Sequence, residues 1–340
     1  MKKALLLTFS IITAFAFVST PAVWTKSVKT KVLRLAAPWP PMDPVTVQLE
    51  AFADKFNQRA GGSYVIEVHP SESLIKIGES MDALRTGAVE MAGWPIGMFA
   101  SMDRRFAAAE LPFLANNAEA DAALQVDLMP LYSEIMEKKF NSKAIMSFTC
   151  LALDVISTKP IKTAADWKGL LVQSVSPQSA KFIEYMGGAP VAMPFSEGYQ
   201  ALQKGVVNAS MQSSPMMIMF KLNEVAQYAT RGYLIPAGMI IAINMDVYKK
   251  MPSDIQEIIV DIGKQQQIES NNFFISIAQE NTVTLRKMGV DVYHLPKEER
   301  DRWADMVKSY CDKLYEDMGP EFAAAVKKAA KAANAKYAYK

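Results

Sequence analysis

The sequence predicts an α/β chain of two lobes that exchange strands, with one long helix reaching across both. Three observations carry this expectation. Strand-like and helix-like segments alternate along the chain, the rhythm that builds sheets covered by helices. Of the 340 residues, about 318 remain after an N-terminal leader, enough for two domains. From Ser253 a helical pattern persists for about 35 residues, roughly 50 Å at about 1.5 Å per residue, which exceeds one ordinary domain. There is no internal repeat and no long Gly/Ser tether, so the lobes should share strands.

Each element has a local reason. Lys31–Ala37 is a candidate first strand, ended by the Pro-rich stretch after it, and Pro44 opens a helix that stops at Gly61-Gly62. Tyr64–Val68 alternates as a strand, Leu74, Ile77, Met81 and Leu84 mark a helical face ended at Gly87, and Val89–Trp94 is a third strand. This βαβαβ order implies a mostly parallel sheet with ligand-contacting loops at its carboxyl ends. A second unit starts near Cys150. Leu170–Val175 reads as a strand, and Ser176-Pro177 caps and opens a helix that closes at Gly187-Gly188. Pro190–Met193 is extended, Ser196 caps a short helix ending at Gly205, and Gly238–Asn244 is another buried strand. Ser253 and Gln256 are placed to form a capping box for the long helix. The Ala-Lys repeats at 324–336 read as a solvated end. The expected division is residues 31–150 with 236–275 for one lobe, 151–235 with 276–325 for the other, and a helical or frayed tail at 326–340.

Residues 1–22 have the form of a signal peptide: Lys2 and Lys3, an apolar block from Ala4 to Val18, then small residues. That block falls short of the about 20 apolar residues a membrane span needs, so export to the periplasm is expected. The leader holds two of the 37 basic residues and none of the 35 acidic ones, leaving a near-neutral mature chain that argues against nucleic-acid binding. Cys150 and Cys311 are too few for a disulfide framework and are expected as separate buried thiols.

Enzyme chemistry finds no support in the residues. The two histidines, His69 and His294, have no metal-ligand partners at suitable spacing, and no nucleophile elbow, phosphate loop or dinucleotide fingerprint occurs. No catalytic residue, metal or cofactor is expected. What stands out is soft and aromatic surface: 21 Met, 16 Phe, 12 Tyr and 5 Trp. The run Met211–Met219 mixes apolar residues with hydroxyls and an amide, and reads either as buried interlobe packing or as a pocket wall with a few convergent polar groups. Trp39 and Trp94 each follow a predicted strand, where such a pocket would open.

Trp167-Lys-Gly-Leu-Leu-Val172, Gly187–Met193 and above all Pro-Phe-Ser-Glu-Gly-Tyr-Gln-Ala-Leu-Gln-Lys-Gly-Val-Val, residues 194–207, carry a family signature. Leu111-Pro-Phe-Leu114 and the stretch from Asn244 to Pro252 add to it. The chain resembles the solute-binding proteins of TRAP (tripartite ATP-independent periplasmic) transporters over essentially its whole mature length. The resemblance implies a two-lobe periplasmic binding protein fold that closes on a small organic solute, delivery of that solute to the membrane subunits of an ion-driven permease, and a monomer. A sensory binding protein that docks to a membrane receptor would use the same binding chemistry.

By position against the family, Trp94, Gln173, Phe195 and Gln212 fall where relatives contact solute; Trp39, Asp154 and Met211 complete the expected ligand set. Relatives usually carry Arg where this chain has Gln173, and that Arg pairs with the solute carboxylate. A second Arg common just before this strand is also missing, since Thr149–Asp154 holds only a negative charge. A guanidinium offers a fixed fork to a carboxylate and an amide does not. The expectation is therefore that Gln173 faces the cleft and meets a solute that is not a simple carboxylate, whether neutral, zwitterionic, cationic or aromatic. Asp154 or Asp43 would balance a cation, and tryptophan faces would attract it. Two alternatives stay open: Gln173 bonds within the sheet, or Arg34, Arg104 or Arg105 takes over an anion.

Overall fold

The computed structural model describes residues 30–339, so the expected signal peptide lies outside the described residues. Eleven strands are described: β1 (Lys31–Ala36), β2 (Tyr64–His69), β3 (Met91–Pro95), β4 (Ser142–Thr149), β5 (Leu153–Ser157), β6 (Leu171–Ser174), β7 (Ala189–Ala192), β8 (Ala209–Gln212), β9 (Tyr228–Ile235), β10 (Gly238–Asn244) and β11 (Asp291–His294). They form two sheets, ordered β2-β1-β3-β10-β4 and β11-β9-β5-β8-β6-β7. The expected two-lobe α/β architecture with strand exchange is what the chain adopts.

The exchange happens at one narrow place. β4 in the first sheet runs through three residues into β5 in the second, and β9 returns through two residues into β10. The crossings lie side by side, tied by the Cys150 amide donating to Ala237 O (2.9 Å). The sheets are consequently mixed, not mostly parallel: β1 pairs in parallel with β2 and β3, whereas β10 runs antiparallel to β3 and β4. In the second sheet β5 is likewise antiparallel to β8 and β9. A strand that arrives from the other lobe enters from the opposite direction, which a count of local βαβ units does not reveal.

The third crossing is the helix Ser253–Lys287, 35 residues long as expected. It lies against β4, where Gly263 lets the helix backbone approach closely; a Cβ there would sit 2.6 Å from Ile145 O. Its amino end is not closed by a capping box. Pro252 occupies the cap position, no side chain caps it, and Gln256 donates to Met251 O (3.0 Å). Ser196 does not cap either: Phe195–Glu197 is a single 3-10 turn leading into Gly198–Gln203. Asp43 and Ser176 do cap the helices Pro44–Arg59 and Pro177–Met186, each holding a first-turn amide.

The carboxyl-terminal helix Pro320–Lys336 buries Ala323, Val326, Ala330 and Ala333 and packs on the helix Ala118–Lys139 of the first lobe. The expected solvated end is thus solvated on one face only, because alanine at these spacings makes a flat apolar stripe. Arg300 joins the lobes nearby, donating to Gly232 O (2.8 Å) and Ala115 O (2.7 Å) beneath the ring of Tyr339. Cys150 and Cys311 are free thiols, as expected.

Candidate functional site between the lobes

A cavity of about 130 Å³ lies where the two lobes meet in front of the strand crossing. The first lobe contributes Trp39, Asp43, Met98, Glu110, Cys150 and Phe274; the second contributes Val175, Ser176, Phe195, Gln212, Ser213 and Met216. Local structure explains each placement. Trp39 and Asp43 stand in the turn between β1 and the helix that Asp43 caps. Glu110 ends a 3-10 segment, Arg104–Glu110, and its carboxyl lies against Gly97, where a Cβ would come within 2.5 Å. Gln212 is the last residue of β8, and strand alternation sends its side chain to the cavity and that of Met211 to the core.

The electrostatics are one-sided. Among the described residues, no Lys, Arg or His lines the cavity. Two carboxylates do. Asp43 is fully buried; its Oδ1 accepts from the Val45 amide (2.7 Å) and its Oδ2 has no partner. Burial pushes its carboxyl up to about 6 against the pull of the Val45 and Thr46 amides. Glu110 Oε2 is also without a partner, and burial pushes this acid up to about 7, with only the Ser176 hydroxyl favouring the ionised form. Gln212 Oε1 is a third buried acceptor without a donor. The Cys150 thiol is held well above its ordinary range, first by burial and then by the charges of Asp121, Glu110 and Asp43, so it stays protonated. Nothing here forms a nucleophile–base pair.

The expected ligand residues divide. Trp39, Phe195 and Gln212 line the cavity. Trp94 does not: it lies within β3, 1% exposed, with its ring edge-on to Phe99 at 5.7 Å. Met211 packs in the core of the second lobe. Asp154 faces a different cleft, where its carboxylate accepts from Arg231 Nε (2.9 Å) and from the amides of Gly232 (3.1 Å) and Leu234 (3.2 Å).

Gln173 is a correction. Its side chain is fully buried one layer beneath the cavity, not facing it. Nε2 donates to Pro194 O (2.7 Å), and Oε1 accepts from Ser210 Oγ (2.7 Å) and Gln212 Nε2 (3.1 Å). The segment at 194–198 closes over it so tightly that a Cβ on Gly198 would meet Gln173 Oε1 at 2.3 Å. A buried amide takes the nearest donors and acceptors, and here the chain supplies them. The proposed substitute cations are elsewhere too: Arg34 pairs with Glu90 (2.8 Å), Arg105 with Asp103 (2.6 Å), and Arg104 does not line the cavity. Glu110 and Phe274 were missed. Glu110 directly precedes Leu111-Pro-Phe-Leu114, a stretch that already stood out; Phe274 is one apolar position among many on the long helix.

Two lobes joined by exchanged strands, with a cavity lined by both of them, define a periplasmic-type binding protein. The comparisons with known proteins give the family. The model of the DctP family, described as bacterial extracellular solute-binding protein, family 7, matches residues 35–318. The chain belongs to that family, and the resemblance to TRAP solute-binding proteins holds. Among its relatives is the C4-dicarboxylate-binding periplasmic protein DctP of Rhodobacter capsulatus, 29% identical over 327 residues that cover 92% of this chain and 93% of the relative. Among solved structures, DctP7 of Bordetella pertussis, an extracytoplasmic solute receptor binding pyroglutamic acid, superposes with a TM-score of 0.83 at 19% identity, covering 88% of this chain and 99% of that one. A TRAP periplasmic solute-binding protein from Desulfovibrio desulfuricans with bound sn-glycerol-3-phosphate gives 0.82 at 21% identity, covering 89% and 97%. These likenesses establish the fold.

Proposed function

We propose that this chain is the extracytoplasmic receptor of a TRAP transporter, working in the periplasm as a monomer after loss of its leader and handing a small organic solute to the membrane permease. It captures that solute between its lobes and does not transform it. The solute is not a simple carboxylate. One observation carries this reading: among the described residues, the interlobe cavity has two unpaired buried acids and no cation. An anion brought into such a site would lose its hydration without gaining a counter-charge, and a buried unpaired charge is destabilised by several kcal/mol.

The reading sets this chain apart from relatives whose names record acids as ligands, such as the R. capsulatus C4-dicarboxylate-binding protein. Closure would follow from contacts made to both lobes at once, since a ligand shifts a two-state equilibrium only by its difference in affinity for the two states. Calorimetry with succinate and with pyroglutamate tests it. We expect no heat of binding at millimolar concentration; low-micromolar binding of either would overturn it.

A further inference from the structure

We propose that the solute is a compact organic ammonium ion, held by the carboxylates of Asp43 and Glu110 beside the aromatic side chains of Trp39, Phe195 and Phe274. This rests on the receptor reading above and names the chemical class of its ligand. Three side chains, each more than nine-tenths buried, present an acceptor atom without a donor at this one cavity: Asp43 Oδ2, Glu110 Oε2 and Gln212 Oε1. Acceptors on three walls and no cationic donor among the lining residues call for a guest that brings the donors itself. An ammonium group does so, having up to three N–H bonds and no acceptor. Carboxylates supply its counter-charge, and aromatic faces attract cations further when water is excluded.

The size agrees. A cavity of about 130 Å³ is close to the ~150 Å³ that accommodates a benzene-sized molecule elsewhere. The guest is then a small ring or a short branched chain with one nitrogen. Where both acids are ionised, an anion of the same size would add a third negative group, and a neutral guest would leave both without a counter-charge.

Titration supports the geometry. Burial raises both acids towards neutrality, and an ammonium ion favours their ionised forms, so binding expels protons. The other ionisable groups near them are Cys150, held protonated, Asp121, bonded to Thr149 and Tyr233, and Tyr310, raised by burial. None of these is a cation that could neutralise the pair. Affinity for an ammonium ion therefore rises with pH between about 6 and 8, by about tenfold, and affinity for an anion falls over the same range.

The test is calorimetric titration at pH 6 and pH 8 with piperidine, trimethylamine and ethanolamine hydrochlorides, beside mass spectrometry of solute released from unwashed protein. At least one amine is expected to bind, and more tightly at pH 8. Glu110→Gln keeps shape and removes charge; it should weaken that amine about thirty-fold or more. Asp43→Asn, which can still cap its helix, should do likewise, with thermal melting confirming that both variants fold. Failure of all three amines while an acidic or neutral solute binds or co-purifies overturns the ammonium assignment and leaves the receptor standing. Unchanged amine affinity in both variants also overturns it. If no solute of any class binds or co-purifies, the receptor reading fails first.

Discussion

Asp154 and Glu110 are both buried acids near the junction of the lobes, and the chain treats them in opposite ways. Asp154, in the cleft lined by Arg231 and His294, is saturated: one guanidinium and two backbone amides share its two oxygens. Glu110, in the cavity lined by Phe195 and Gln212, has an oxygen with no partner and no cation beside it. A carboxyl group at similar burial is part of the architecture in one place and left with a free oxygen in the other. A buried polar atom that the fold leaves unsatisfied calls for a partner from outside the chain, a water or a guest.

The contrast can be broken in several ways. Arg231→Ala leaves Asp154 buried without its cation and should cost about 3–5 kcal/mol in denaturant unfolding, while solute affinity of the folded fraction stays unchanged. A loss in the range of a surface pair would erase the distinction. Glu110→Gln should do the reverse in the ligand-free protein. An acid at about 7 in the folded chain keeps its proton where the unfolded chain, near the ordinary 4.5, has lost it. Stability then falls as pH rises from about 4.5 to about 7, so removing the charge should add on the order of 2–3 kcal/mol at pH 8 and flatten that slope. Melting curves across pH read this directly.

Gln173→Ala sharpens the comparison from the side of the amides. It strands Pro194 O and Ser210 Oγ and should cost about 1–2 kcal/mol of stability, without changing the preference between amines and acids. A switch in ligand class on this substitution would return Gln173 to the site. Smallest of all is Met211→Leu, a near-isosteric change in the core of the second lobe. It should cost under about 1.5 kcal/mol and leave binding untouched.

Much of the architecture was legible because it is periodic. The limits of β10 and of the long helix follow from unbroken apolar and amphipathic patterns, and the Ser176 cap from local chemistry. Strand direction was not legible, since β10 and β5 owe their antiparallel setting to the lobe crossing. Of the residues expected at a ligand, Trp39, Phe195 and Gln212 line the cavity. Trp94, Met211 and Asp154 lie away from this cavity, because sequence places a residue near a cleft without saying which way its side chain turns. Gln173 failed for a related reason. An amide can be consumed by its neighbours, as the Gln173 side chain is, whereas a guanidinium carries five donors and no acceptor.

The central claim is that the cavity between the lobes holds its solute without any guanidinium. A crystal structure of the protein with its co-purified solute tests it most directly. We expect the solute nitrogen within hydrogen-bond distance of Glu110 or Asp43, with no arginine touching it. A carboxylate in that cavity gripped by an arginine would contradict the account.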